Sequence, residues 1–266
     1  MKTSITRSNG KFKKAIRKGI VLAVWLGIWQ LAYMLVKQDV MIASPSQVAM
    51  TLAGLVQTPE FWMSAGNSLL RVLAGFLLAV SIGTLLAVLT SYSRAALDFF
   101  TPAITLIKST PVVSFIILAL VWLKRDLVSV FISFLMVLPA VWTNISQGIA
   151  RTDEQLLEMG SVFHFSKMKM LRSIYIPSVM PYFTAAFTTG LGLAWKAGIA
   201  AEVIGIPRHS IGQHLYDAKI YLETADLFAW TVVVILLSIL VEHALVGLIR
   251  HLGKKYNVKG NEEHQT

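Results

Sequence analysis

Apolar positions in this chain run on for a bilayer's width at a time rather than alternating. Six stretches, near 19–36, 66–90, 102–122, 127–149, 176–203 and 228–249, each approach the ~20 residues a helix needs to cross a membrane. They predict an all-α, polytopic membrane protein with about six transmembrane helices. Lys108 and Pro111 interrupt the third stretch, which is the least regular. The first follows seven Lys/Arg, as a signal peptide would. Its apolar run is longer than a signal's core and no clean cleavage site follows, so it reads as a retained signal anchor.

One polar segment stands apart. From Thr152 to Pro181 the chain is charged yet patterned as helix. Thr152 with Gln155 has the spacing of a capping box, and Asp153 and Glu154 suit the positive end of a helix. Leu156, Met159 and Phe163 recur at helical spacing, then break at His164-Phe165-Ser166. A second run places Met168, Leu171 and Ile174/Tyr175 on one face. The prediction is a helix-turn-helix outside the bilayer that presents a face to a partner. The remaining organisation is a basic arm over 1–18, a first span and outer loop over 19–64, a core over 65–250 containing the 150–175 loop, and a tail over 251–266, disordered after Tyr256.

Composition agrees with the pattern. Apolar residues make up 55% and charged residues 14%, with a mean hydropathy of +0.65. Sixteen Lys/Arg fall in the N-terminal arm, the 91–101 and 150–175 loops and the tail, against five on the opposite side. The positive-inside rule then places both termini and the 150–175 loop in the cytoplasm. Anionic headgroups account for the net charge of +10 without a nucleic acid. The chain has no Gly-x-x-x-x-Gly-Lys-Ser/Thr for nucleotide phosphates and no cysteine for a disulfide or a Cys-based metal site. His209 and His214 lack a third ligand of matching spacing and no Ser/His pair is set in neighbouring spans, so no metal and no catalytic residue are expected.

The loop resembles the EAA loop of ABC importer permeases. Glu158-Met159-Gly160, three residues, His164, nine residues, Ile174, Tyr175 and Ile176-Pro177 keep that motif's acid, one small residue, Ile, Pro and all spacings. Both Ala positions differ, and His164 stands where the family has Gly; His enters the positive-φ region more readily than most residues, at some cost. The resemblance extends over roughly 65–250: Asn67 to Phe76, Lys108-Ser109-Thr110-Pro111, Pro139 with Asn144, Ala201 to Gly205, and Ser210-Ile211-Gly212. Together these are most similar to the taurine, aliphatic-sulfonate and nitrate branch. The resemblance implies a type I permease fold, a coupling helix that docks on a cytoplasmic ATPase, ATP and Mg on that partner, an extracytoplasmic binding protein, a permease homodimer, and a bacterial or archaeal cell membrane. It implies coupling roles for Glu158, Gly160, Phe163, His164, Phe165, Ile174 and Pro177.

Other readings stay open at this stage. Glu158 also reads as a solvated helix acid, and Phe163, His164 and Phe165 either pack the loop against the spans or enter the ATPase. Between Thr184 and Ala201, 12 of 18 residues are Gly, Ala or Thr. They suit tight packing or a sliding gate, with Gly190, Gly192, Lys196, Gly198 and Glu202 as pathway candidates. Lys108 and Lys196 either attract an anion or, for Lys108 above all, snorkel to a headgroup. Lys196 and Glu202 lie on different helix faces and are not expected to pair. Arg71 reads as an interface anchor, and Glu242-His243 as a local polar contact. The rival classes are a secondary transporter or channel working alone and an intramembrane enzyme. Neither explains a cytoplasmic helical loop.

Overall fold

A computed structural model describes residues 6–262, and within them the chain is helical. In order come α1 (Thr6–Val36), α2 (Pro45–Leu55), α3 (Pro59–Tyr92), α4 (Arg94–Ser109), α5 (Val112–Trp122), α6 (Arg125–Ala150), α7 (Glu154–Val162) and α8 (Lys167–Met170). A π-helical stretch (Leu171–Tyr175) leads into α9 (Ile176–Gly205), followed by α10 (Ile211–Ile220) and α11 (Thr224–Glu262). Five of the six predicted spans each lie on a single helix. Four helical segments, in α1, α3, α6 and α11, are long and apolar enough to cross a membrane. Residues 251–262 continue α11, so the expected disorder after Tyr256 does not hold up to Glu262. No proline interrupts that helix; residues 263–266 lie outside the described residues, as do residues 1–5 of the basic arm.

The third predicted span is not one helix. α4 and α5 meet at 107° across Thr110-Pro111. Pro111 disfavours the helical region for the residue before it, and Thr110 is extended at φ −86°, ψ 132°. The fifth, α9, is long enough at about 45 Å but less apolar than the four, because Lys196, Glu202 and the Gly/Thr positions dilute it.

Two compact units emerge. The first joins residues up to Phe61 with His214–Val233. Within it Ser44 and Gln47 form a capping box at the start of α2, with Pro45 in the first turn. Trp29 stacks on Phe228 and donates its Nε1–H to the Ala43 carbonyl at 3.0 Å. His214 stacks on Trp230 at 4.4 Å.

The second unit, Trp62–Gln213 with Val234–Thr266, is organised around the antiparallel pair α6 and α9. Small residues set how closely they lie. A Cβ on Gly190 would meet Val137 Cγ1 at 2.9 Å, and one on Gly198 would meet Ser133 Oγ at 2.5 Å and Val72 Cγ2 at 2.6 Å. Ser133 donates to the Ala194 carbonyl at 3.2 Å and Ser129 to the Gly198 carbonyl at 3.1 Å. Phe76 of α3 closes the same layer, edge-on to Phe187 at 4.7 Å.

Candidate functional site

The 151–175 loop is ordered by local bonds. Its N-cap is Asp153, whose Oδ1 accepts the Gln155 N–H at 2.9 Å, so the capping box expected from Thr152 does not form. Thr152 is buried and turns back to the Gly148 carbonyl of α6 at 3.4 Å. A hydroxyl so engaged is unavailable to the next helix. At the far end of α7 the His164 N–H donates to Ser161 O at 3.0 Å and the Phe165 N–H to Gly160 O at 2.8 Å. These are the two bonds of a Schellman motif, and the left-handed residue it requires is His164, at φ 49°. The turn that resembled a glycine position is thus a left-handed turn made by histidine.

Gly160 seats α7 against Met170 and Ile174. A Cβ there would meet Met170 Sδ at 2.8 Å and Ile174 Cδ1 at 3.1 Å, and Ile174 itself is buried. Ser166 caps α8 by accepting the Lys169 N–H, and the Lys169 ammonium lies 4.0 Å from the centre of the Phe165 ring. The second helix of the predicted helix-turn-helix does not end there. It widens into the π stretch and continues as α9, with Pro177 in the first turn. Proline lacks an N–H and crowds the carbonyl four residues back, which is where the ladder loosens. α7 turns Leu156, Met159, Val162 and Phe163 outward, Phe163 at 69% exposure. Phe163 therefore does not pack against the spans, whereas Phe165 is half-buried. Glu158 is exposed and makes no hydrogen bond or ion pair among the described residues.

The other end of α9 is built differently. Glu202 is fully buried and accepts Ser68 Oγ–H at 2.5 Å and the Gly212 N–H at 3.4 Å. Arg71 places one guanidinium nitrogen 3.5 Å from Glu202, a charge contact longer than a good hydrogen bond. Its other nitrogen donates to Asp126 at 2.7 Å and to the Arg208 carbonyl at 3.3 Å. Ser68 also accepts the Ile211 N–H at 2.9 Å, and Asn67 donates to the His209 carbonyl at 3.3 Å. Gly212 has no room for a Cβ, which would collide with Glu202. Arg71 is thus a member of a clamp around the buried Glu202 rather than an interface anchor, because that carboxylate and the exposed Asp126 both lie within its reach.

The five pathway candidates separate. Gly190, Gly198 and Glu202 are buried in contacts with α3 and α6 or in the clamp; Lys196 faces out, and Gly192 is half-buried with nothing near its Cβ position. The exposed Lys108 ammonium donates to Thr143 Oγ1 at 2.9 Å beside Trp142. His243 makes the expected local contact, with the Ile239 carbonyl at 2.8 Å. Sequence reasoning missed Ser68, Asp126 and Gly212 as clamp members. Ser68 and Arg71, three apart on one helical face, were the available signal. A groove of about 280 Å³ opens near the π stretch, lined by residues such as Val88, Tyr92, Ile145, Tyr175, Met180 and Phe183.

Comparison with known proteins gives the arrangement its context. The chain is 24% identical over 233 residues to the putative aliphatic sulfonates transport permease protein SsuC of Bacillus subtilis (strain 168), covering 86% of this chain and 84% of that one. It is 26% identical over 216 residues to the nitrate import permease protein NrtB of Synechocystis sp., covering 77% of each. Its fold resembles a crystal structure of a bacterial ABC transporter involved in the import of alginate, with a TM-score of 0.56 at 15% identity over 92% of this chain and 98% of that one. Residues 75–258 match the family described as binding-protein-dependent transport system inner membrane component. With a loop closed by a left-handed turn at His164 and spans packed through α6 and α9, the chain belongs to that family and is a multi-pass permease subunit of an ABC importer.

Proposed function

We propose that α7 is the coupling helix, entering a groove on a separate cytoplasmic ATPase that binds ATP and Mg. The observation that carries this is the outward face of α7. Leu156, Met159, Val162 and Phe163 are exposed together beside an unpaired Glu158, on a helix held by the Gly160 contact and the turn at His164. An apolar patch of that kind, rimmed by charge, suits a protein partner. Gly160, His164, Phe165, Ile174 and Pro177 then act as the mounting that transmits motion of α7 to α9. Both termini and the loop face the cytoplasm, a reading supported by the Lys/Arg distribution.

The solute is a small anion such as a sulfonate or nitrate, as the relatives' names suggest. A binding protein outside the membrane delivers it, and two copies of the chain form the pathway. ATP binding on the partner draws the two α7 helices together and biases a permease with two accessible states. The chain itself carries no hydrolytic chemistry.

Purification of the tagged chain from its native membrane in mild detergent tests the reading. The expected result is recovery of an ATPase subunit with the wild type and its loss from Glu158→Lys and Phe163→Asp variants. Recovery of the chain alone, still moving solute without ATP, would favour a stand-alone transporter.

A further inference from the structure

The outward side of α9 carries a charge that no other described residue neutralises. Pro181, Ala185, Thr189, Leu193 and Lys196 are exposed and follow one another by three or four residues, so they form a single stripe. Within α9 the large exposed hydrophobics are Leu193 and Ile204. The exposed sides of α3 and α11 are dressed differently, with Leu77, Leu78 and Leu85 on one and Ile235, Leu236 and Ile239 on the other. Those two surfaces suit hydrocarbon; the stripe on α9 does not.

Lys196 lies nine residues before Gly205, or about 14 Å along the helix from that end. The other cations inside the predicted spans are engaged, Arg71 with Asp126 and Glu202, and Lys108 with Thr143. Lys196 makes no hydrogen bond or ion pair among the described residues. An ammonium at that depth is costly against lipid and must meet water or an anion. Gly192, one turn away, adds a separate observation. Nothing lies within 4 Å of where its Cβ would be, so no packing within this chain requires a glycine there. Glycine is among the least favourable residues in a helix interior. What it provides is open space beside the ammonium.

We propose that Lys196 is the specificity-determining charge of the translocation pathway, meeting the oxyanion group of a small monoanionic solute in the space left by Gly192. This rests on reading the chain as part of an ATP-driven importer for such solutes. A lysine suits that role, because its compact, mobile point charge attracts an oxyanion without the two-pronged grip of arginine, and so releases it.

The chain has no cysteine, so Lys196→Cys and Gly192→Cys would each be its single thiol. The assay uses the transporter assembled with its own ATPase and binding protein in proteoliposomes. A membrane-impermeant thiosulfonate reagent is expected to modify both positions, with protection by nitrate or ethanesulfonate. ATP-driven uptake of whichever probe the wild type carries should fall about tenfold or more in Lys196→Met and recover only in part in Lys196→Arg. Absence of labelling would overturn the proposal, since the face would then be covered by lipid or a second copy. Unchanged uptake in Lys196→Met would overturn it too, as would a wild type that moves neither anion although its binding protein stimulates the ATPase. In each of these cases the importer reading survives. ATP-independent uptake by the wild type would break that reading instead.

Discussion

The two ends of α9 are held in opposite ways. At Gly205 the helix is locked by Glu202, which gathers Ser68 and Arg71 from α3 and Gly212 from the next segment, while Arg71 ties in Asp126 of α6. At Ile176 it begins without a side-chain cap, out of a π stretch beside an open groove. There α7 leans on it through Gly160, Met170 and Ile174. A fully buried carboxylate resists sliding, because displacement would strip Glu202 of its donors at low dielectric. An apolar contact next to a widened turn tolerates small shifts. One end is therefore suited to act as a fulcrum and the other to be moved by a partner.

The largest expected effect breaks the fulcrum. Glu202→Ala would leave Ser68 and Gly212 without their acceptor and Arg71 with only Asp126 and the Arg208 carbonyl, each orphaned buried donor costing about 1–3 kcal/mol. A lower melting temperature of the purified permease in detergent is the readout. A melting temperature equal to wild type would show that the clamp does not hold that end. Gly160→Leu attacks the other end. Its side chain would collide with Met170 and Ile174, an overpacking cost of about 1–3 kcal/mol confined to the loop. Association with the ATPase should be lost while the melting temperature of the spans changes little; the reverse pattern would refute a separation of the two regions. The smallest effect sharpens the comparison. His164→Gly relieves left-handed strain of roughly 1 kcal/mol, so amide exchange at Phe165 should slow with no loss of ATPase binding. Faster exchange there would mean that the imidazole, and not the turn, holds the loop.

Legibility in the sequence followed the range of the interaction. The helical stretches of the loop, the turn at His164 and the helical identity of all six apolar stretches rest on neighbours within a few residues, and their patterns were readable. The cap failed by one residue because Thr152 had a competing acceptor at Gly148, one turn back in α6. The break at Thr110-Pro111 was signalled by its proline, but its angle was not. Arg71 was misread because Asp126 and Glu202 lie 55 and 131 positions away along the chain.

By itself the sequence determined that the chain crosses a membrane as helices and exposes a helical loop between two of them. Lipid allows a spanning segment no unpaired backbone, so length and apolarity suffice to identify one. Tertiary structure alone decided which side of α9 packs and which stays open. Gly190 and Gly198 are buried and Lys196 is not because α6 and α3 cover one side of that helix. Small residues favour close approach on any face they occupy, so composition marks a helix as packable without saying which side its neighbours will take.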